Sequence, residues 1–114
     1  MITKDIKDMI ENNSLSLATN MKGNPYVIVV GDVKVISKEE ILIGDNYMKN
    51  TIDNIKNNNN VCLVVHNNKE GYQIKGNAHY YNSGKWLDKI KEIHKGYPAK
   101  GAIIVKINEI KKLA

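Results

Sequence analysis

The chain has 114 residues, enough for one hydrophobic core and too few for two, so it reads as a single domain over residues 1–114. Its net charge of +5 comes entirely from lysine, since no arginine occurs; that absence argues against sequence-specific nucleic-acid binding, which relies on bidentate guanidinium contacts, and the abundance of lysine, asparagine and isoleucine fits A/T-rich codons as well as a basic partner. One cysteine, Cys62, excludes an intrachain disulfide, and no apolar run is long enough to span a membrane or form a signal peptide, which places the chain in the cytosol.

In chain order, "TKDIKDMIEN" sets Ile6, Met9 and Ile10 at helical spacing behind Thr3 as an N-cap, and Asn12 and Asn13 end that helix. "SLSLATN" alternates apolar and polar residues, the period of a half-buried strand, and "MKGNP" is a turn. "YVIVVGDVKVIS" is a β-branched run that Gly31 interrupts, predicting a bulge or a close backbone approach. "ILIG" is a short strand, and "DNYMKNTIDNIK" places Met48, Ile52 and Ile55 on one helical face.

After the asparagine run at Asn57–Asn60, "VCLVVH" re-enters the sheet with Cys62 as a small core residue, and "NNKEG" turns the chain back. In "YQIKGNAHYYN" one face carries Tyr72, Ile74, Gly76, Ala78 and Tyr80. "SGKWLDKIKEIHKG" is an amphipathic helix with Trp86, Ile90 and Ile93 inward and Gly96 as terminator, and "GAIIVKINEI" is the last strand. Six or seven short strands without βαβ alternation predict a mainly β (α+β) fold, a closed or nearly closed antiparallel barrel with flanking helices. His66, His79 and His94 have no metal-ligand spacing, so no metal site is expected. The chain has no P-loop, Gly-x-Gly-x-x-Gly or nucleophile elbow.

The polar knot from Asp45 to Thr51 carries the most chemistry. A helix N-terminus presents unpaired N–H groups and partial positive charge. A lysine amine, a threonine hydroxyl and asparagine amides beside it complete a phosphate site. Asp45 or Asn46 fits the N-cap, and Lys49, Asn50 and Thr51 line the first turn. A well-capped helix with an exposed lysine meets the same spacing.

From about Leu15 to the C-terminus, the order "LATNMKGNPYVIVVGDVKVISKEEILIGDNYMKNTIDNIKNNNNVCLVV" resembles the FMN-binding split-barrel family, relatives of pyridoxamine 5′-phosphate oxidase. The most specific part is the I-x-D-N-x-M-x-x-T-x-x-N-I block from Ile43 to Ile55. The resemblance implies a six- or seven-stranded antiparallel split barrel binding FMN, with Asp45, Asn46, Met48, Lys49, Asn50, Thr51 and Asn54 as cofactor-binding residues in the block that opens the helix gripping the flavin phosphate. Family members commonly carry Lys-Thr here, whereas this chain reads "KNT", with Lys49 one position early and Asn50 before Thr51. The resemblance also sets Val29, Val30, Gly31 and Asp32 along the isoalloxazine edge. It further implies a homodimer with FMN at its interface, the tyrosines of "YQIKGNAHYY" and Trp86 serving as core or dimer contacts. The expected function is FMN-dependent oxidoreduction or electron transfer with an unidentified redox partner. A flavin or deazaflavin carrier without catalysis, or a basic protein whose barrel surface meets nucleic acid, are the alternatives. Oxidation of pyridoxamine or pyridoxine 5′-phosphate is not expected, because arginines for a second phosphate are missing and only "AIIVKINEIKKLA" follows Gly101.

Overall fold

The computed structural model describes residues 1–113. Its element order is α1 (Lys4–Asn12), β1 (Leu15–Met21), β2 (Asn24–Val30), β3 (Val33–Ser37), β4 (Glu40–Asp45), α2 (Asn50–Asn57), β5 (Asn60–His66), β6 (Gly71–Tyr81), α3 (Lys85–Ile93) and β7 (Gly101–Lys112). The strands form one antiparallel sheet in the order β2-β1-β5-β6-β7-β4-β3. The fold is mainly β and consistent with a split barrel, but the sheet is not closed: β2 and β3 are its two edges.

The split falls inside a segment that reads as one continuous β-run. "YVIVVGDVKVIS" becomes the end of β2 and all of β3, which follow each other in the chain yet lie at opposite edges of the sheet. Gly31 therefore marks no bulge; it sits at the joint, and the open space around its Cα shows no crowding either. The β1–β2 connection is tight. Lys22 and Gly23 both have positive φ, and the Gly23 N–H donates to Asn20 Oδ1 at 2.9 Å; two positive-φ residues match the right-handed twist of a hairpin.

The larger core lies inside the curled sheet. Leu15 and Leu17 from β1, Val33 and Val35 from β3, Ile41 and Ile43 from β4, Leu63 and Val65 from β5, Ile74 from β6, and Ile103 and Val105 from β7 bury their alternate side chains there. On α1, Ile6, Met9 and Ile10 join this core, and Thr3 caps the helix by accepting from the Ile6 N–H at 3.3 Å. Glu11 then accepts from the Val35 N–H at 2.8 Å, covering part of the β3 edge. Ile52 and Ile55 of α2 pack into the same core, with Met48 half-buried against it.

A second core lies on the outer face of β4 and β7, where Leu42, Ala102 and Ile104 meet Leu87 and Ile90 of α3. Leu87 thus takes the deeper place on α3, while Trp86 packs only partly buried against this cluster. The helix ends at Ile93 with the His94 N–H donating to Ile90 O at 2.9 Å, three residues before the expected Gly96. Cys62 corrects another expectation. Val61 and Leu63 point inward, so Cys62 alternates to the other face and is half-buried outside the main core. Burial pushes its thiol up, against the lowering influence of Lys75.

Candidate functional site

The site is built around the exit from β4. Asp45 is fully buried and still paired with Gly101 of β7. Its Oδ1 accepts from the Met48 N–H at 2.8 Å, and its Oδ2 accepts from the Tyr80 hydroxyl at 2.8 Å. Its backbone carbonyl accepts from the Lys100 N–H at 2.9 Å. These bonds fold residues 46–49 into a turn and hold it to β6 and β7.

One sequence expectation fails here. Neither Asp45 nor Asn46 is the N-cap of α2. The helix begins at Asn50, Lys49 occupies the cap position, and no side chain caps the helix. The physical reason is that the Asp45 carboxylate is already engaged by Met48 and Tyr80. The first-turn N–H groups of α2 lack intrahelical partners by the geometry of any helix start, and here no side-chain oxygen takes them.

That uncapped end opens on a cavity of about 340 Å³ between β2 and α2. Val29, Val30, Gly31 and Asp32 line one wall, and Asn46, Met48, Lys49, Asn50 and Thr51 line the other. Tyr26, Ile28, Gly44 and Tyr47 complete it; none of these four was singled out from sequence, although Tyr26 and Ile28 precede Val30 at strand spacing. The remaining two candidates lie behind the wall. Asp45 shapes the turn. Asn54 is buried and donates to Thr19 Oγ1 at 3.0 Å, fastening α2 to β1. Lys49 is the cationic side chain of the lining, and Asp32 the acidic one.

Asp32 is 3% exposed. Its Oδ1 meets Nδ1 of His94, which follows α3, and its backbone carbonyl accepts from the Gly44 N–H at 2.8 Å. A Cβ on residue 44 would collide with Asp32 Oδ2, so the glycine in "ILIGD" is required by this close approach. Asp32 Oδ2 and Asn46 Oδ1 are buried without a hydrogen-bond partner. Burial raises the Asp32 carboxyl above its ordinary 3.8, with His94 and Asn46 pulling it partly back. Sequence reading set Asp32 on a ring edge and gave His94 no role, noting only that it lacks metal-ligand spacing. The signal for their meeting was the spacing of His94 four residues after the inward-facing Ile90, which puts both on one helical face.

A second cavity, of about 560 Å³, lies between the C-terminal end of α2 and β6, lined by residues 55–59 and 78–81. The Lys56 ammonium sits 5.4 Å from the Tyr80 ring centre there. It contains none of the candidates from sequence and faces the negative end of the α2 dipole, the wrong polarity for an anion.

The chain belongs to the pyridoxamine 5'-phosphate oxidase family, whose model matches residues 2–113. It is 37% identical to the uncharacterized protein MJ0282 of Methanocaldococcus jannaschii over 120 residues, covering 98% of this chain and 80% of that protein. Its fold is similar to that of HupZ from Group A Streptococcus, with a TM-score of 0.92, 24% identity and coverage of 99% of this chain and 94% of the other. It is also similar to an FMN-binding protein from Syntrophomonas wolfei, with a TM-score of 0.82, 19% identity and coverage of 95% and 83%.

The Asp45–Tyr80 bond gives a direct check of this geometry. Burial, the hydrogen bond to Asp45 and the adjacent carboxylate raise the Tyr80 phenol to about 12. The folded chain therefore keeps that proton above the ordinary phenol value of 10, and stability falls as pH rises from 10 towards 12. In an ultraviolet titration one tyrosine should ionise near 12, and that step should vanish in Tyr80→Phe. A titration unchanged by the substitution would contradict the bond.

Proposed function

We propose that this chain is an FMN-binding flavoprotein that works in oxidoreduction or electron transfer. The observation that carries the reading is the uncapped N-terminus of α2, opening with Lys49, Asn50 and Thr51 onto the cavity beside β2. An anion there meets unpaired N–H groups, the positive end of the helix dipole and neutral and cationic side-chain donors. The donor set fits a phosphate. Lys49, Asn50 and Thr51 with the first-turn amides would hold it, and the backbone of Val29 to Asp32 would run beside the ring. Asp45, Met48 and Asn54 support that wall, and Asn46 adds a polar group. Bound there, the flavin would supply the electron or hydride chemistry, while the chain supplies binding, orientation and charge. The likeness to an FMN-binding protein supports the same cofactor.

The proposed assembly is a homodimer with the flavin at its interface. Supporting it, the edge strand β2 exposes Tyr26, Val27 and Val29, and Tyr47 stands 86% exposed at the cavity mouth. An unpaired, apolar edge of this kind is ordinarily covered by a partner. Sedimentation of the FMN-loaded protein should give twice the chain mass; a monomer that still holds FMN tightly would refute the dimer.

The reading excludes pyridoxamine 5′-phosphate oxidation despite the family. The substrate brings a second phosphate, and this arginine-free chain offers only point-charge lysines to orient it. Misorientation over a flavin costs orders of magnitude in rate. Aerobic assay with pyridoxine 5′-phosphate should show no formation of pyridoxal 5′-phosphate; turnover of about 1 per second or faster would overturn the exclusion. The second reading, a flavin or deazaflavin carrier, predicts binding without NADH or NADPH consumption.

The phosphate grip has its own test. Thr51→Ala removes a hydrogen bond to a charged group and should cost about 1.5–3 kcal/mol of FMN affinity by calorimetry. Lys49→Ala should weaken FMN more than riboflavin, which lacks the phosphate. Equal losses for the two ligands would sink the assignment.

A further inference from the structure

We propose that Asp32 and His94 form a proton-holding positioning pair that sets the net charge of the cavity wall and so makes affinity for an anionic ligand depend on pH. The inference rests on the FMN reading above and deepens it.

The charged side chains lining the cavity are Lys49 and Asp32. Lys49 is exposed to solvent, whereas Asp32 is buried. While the pair retains its shared proton, on either the carboxylate or the imidazole, it is neutral overall and the wall carries the lysine charge alone. When that proton leaves the imidazole for solvent, the N–H bond is the one bond broken, and an uncompensated carboxylate remains at the cavity wall. Buried charges are poorly screened, so a phosphate in the same cavity feels that change. His94 supplies the route to solvent: its side chain is 27% exposed while that of Asp32 is 2% exposed.

The surroundings isolate the pair. From α3, Ile90 packs over Gly44 of β4, and Gly44 leaves room for the Asp32 carboxylate. The loop after β4 contributes Asn46, and the segment after α3 contributes Tyr97, whose ring stands edge-on to His94 with centroids 5.7 Å apart. Of the groups acting on Asp32, His94 is the titratable one. Asp32 Oδ2 and Asn46 Oδ1 are buried without a hydrogen-bond partner, so a negative charge left on Asp32 beside a neutral His94 is poorly compensated. Burial of Asp32 favours its protonated form and acts in the same direction.

The experiment follows FMN and riboflavin affinity by fluorescence quenching across the pH range of the His94 ring titration, with FMN affinity corrected for the second ionisation of the phosphate at about pH 6. The His94 ring signals are titrated in parallel by NMR. In the wild type, FMN affinity should fall about tenfold across the His94 titration, and riboflavin affinity should fall less. In His94→Gln the FMN profile should be flat. Coincidence of the affinity and NMR midpoints in the wild type decides the matter even if the variant folds poorly. An FMN profile that runs flat through the His94 titration, or one that is the same in wild type and folded His94→Gln, overturns this proposal alone. A wild type that binds no FMN at any pH overturns the FMN reading, and this proposal with it.

Discussion

The site depends on one buried carboxylate. Asp45 ends β4, and its two oxygens are shared between the Met48 N–H and the Tyr80 hydroxyl. Asp45 gives its carboxylate to these two partners rather than to α2, which starts at Asn50 with Lys49 in the cap position. A turn that would otherwise be an ordinary cap becomes a short platform carrying Asn46, Met48 and Lys49 to the cavity wall. Asn54, bonded to Thr19, fixes the helix from its buried side. Those three side-chain hydrogen bonds, two to Asp45 and one from Asn54, hold the helix start in place while none of its own first-turn amides is consumed by a side chain.

The open sheet is the second condition. Because β2 and β3 are edges, the joint at Gly31 and Asp32 runs between them along the cavity rather than inside a ladder. The residue that follows α3, His94, reaches this joint, and its contact with Asp32 links the second core to the cavity wall. One cavity therefore receives an uncapped helix end from one side and an ionisable pair from the other. The backbone beside the ring, the phosphate donors and the charge control proposed for this site come from three different parts of the chain.

Much of this was legible in the sequence, for local reasons. Alternation in "SLSLATN", helical spacing in α1 and α2, and the lysine, asparagine and threonine after "GDN" are all signals within one element. The failures were non-local. "YVIVVGDVKVIS" carries no mark that its halves join opposite edges, because strand pairing is settled by distant partners. The Asp45 side chain looked like a cap because its competitor, Tyr80, lies 35 residues away. Gly96 looked like a stop signal, but the chain leaves the helix at His94, whose side chain turns to Asp32 across 62 residues. Cys62 was misplaced for a simpler reason: in "VCLVV" every residue is apolar, and only the pairing with β1 and β6 reveals which alternate set faces inward.

The most direct measurement is an amide NMR titration of the labelled protein with FMN. Signals of Val29 to Asp32 and of Met48 to Asp53 should shift first and furthest, with the Asn50 and Thr51 amides moving downfield as they donate to phosphate. Riboflavin should reproduce the shifts of the β2 wall and leave the α2 amides nearly unmoved. Shifts concentrated instead around residues 55–59 and 78–81, or no saturable shift with either ligand, would contradict the account.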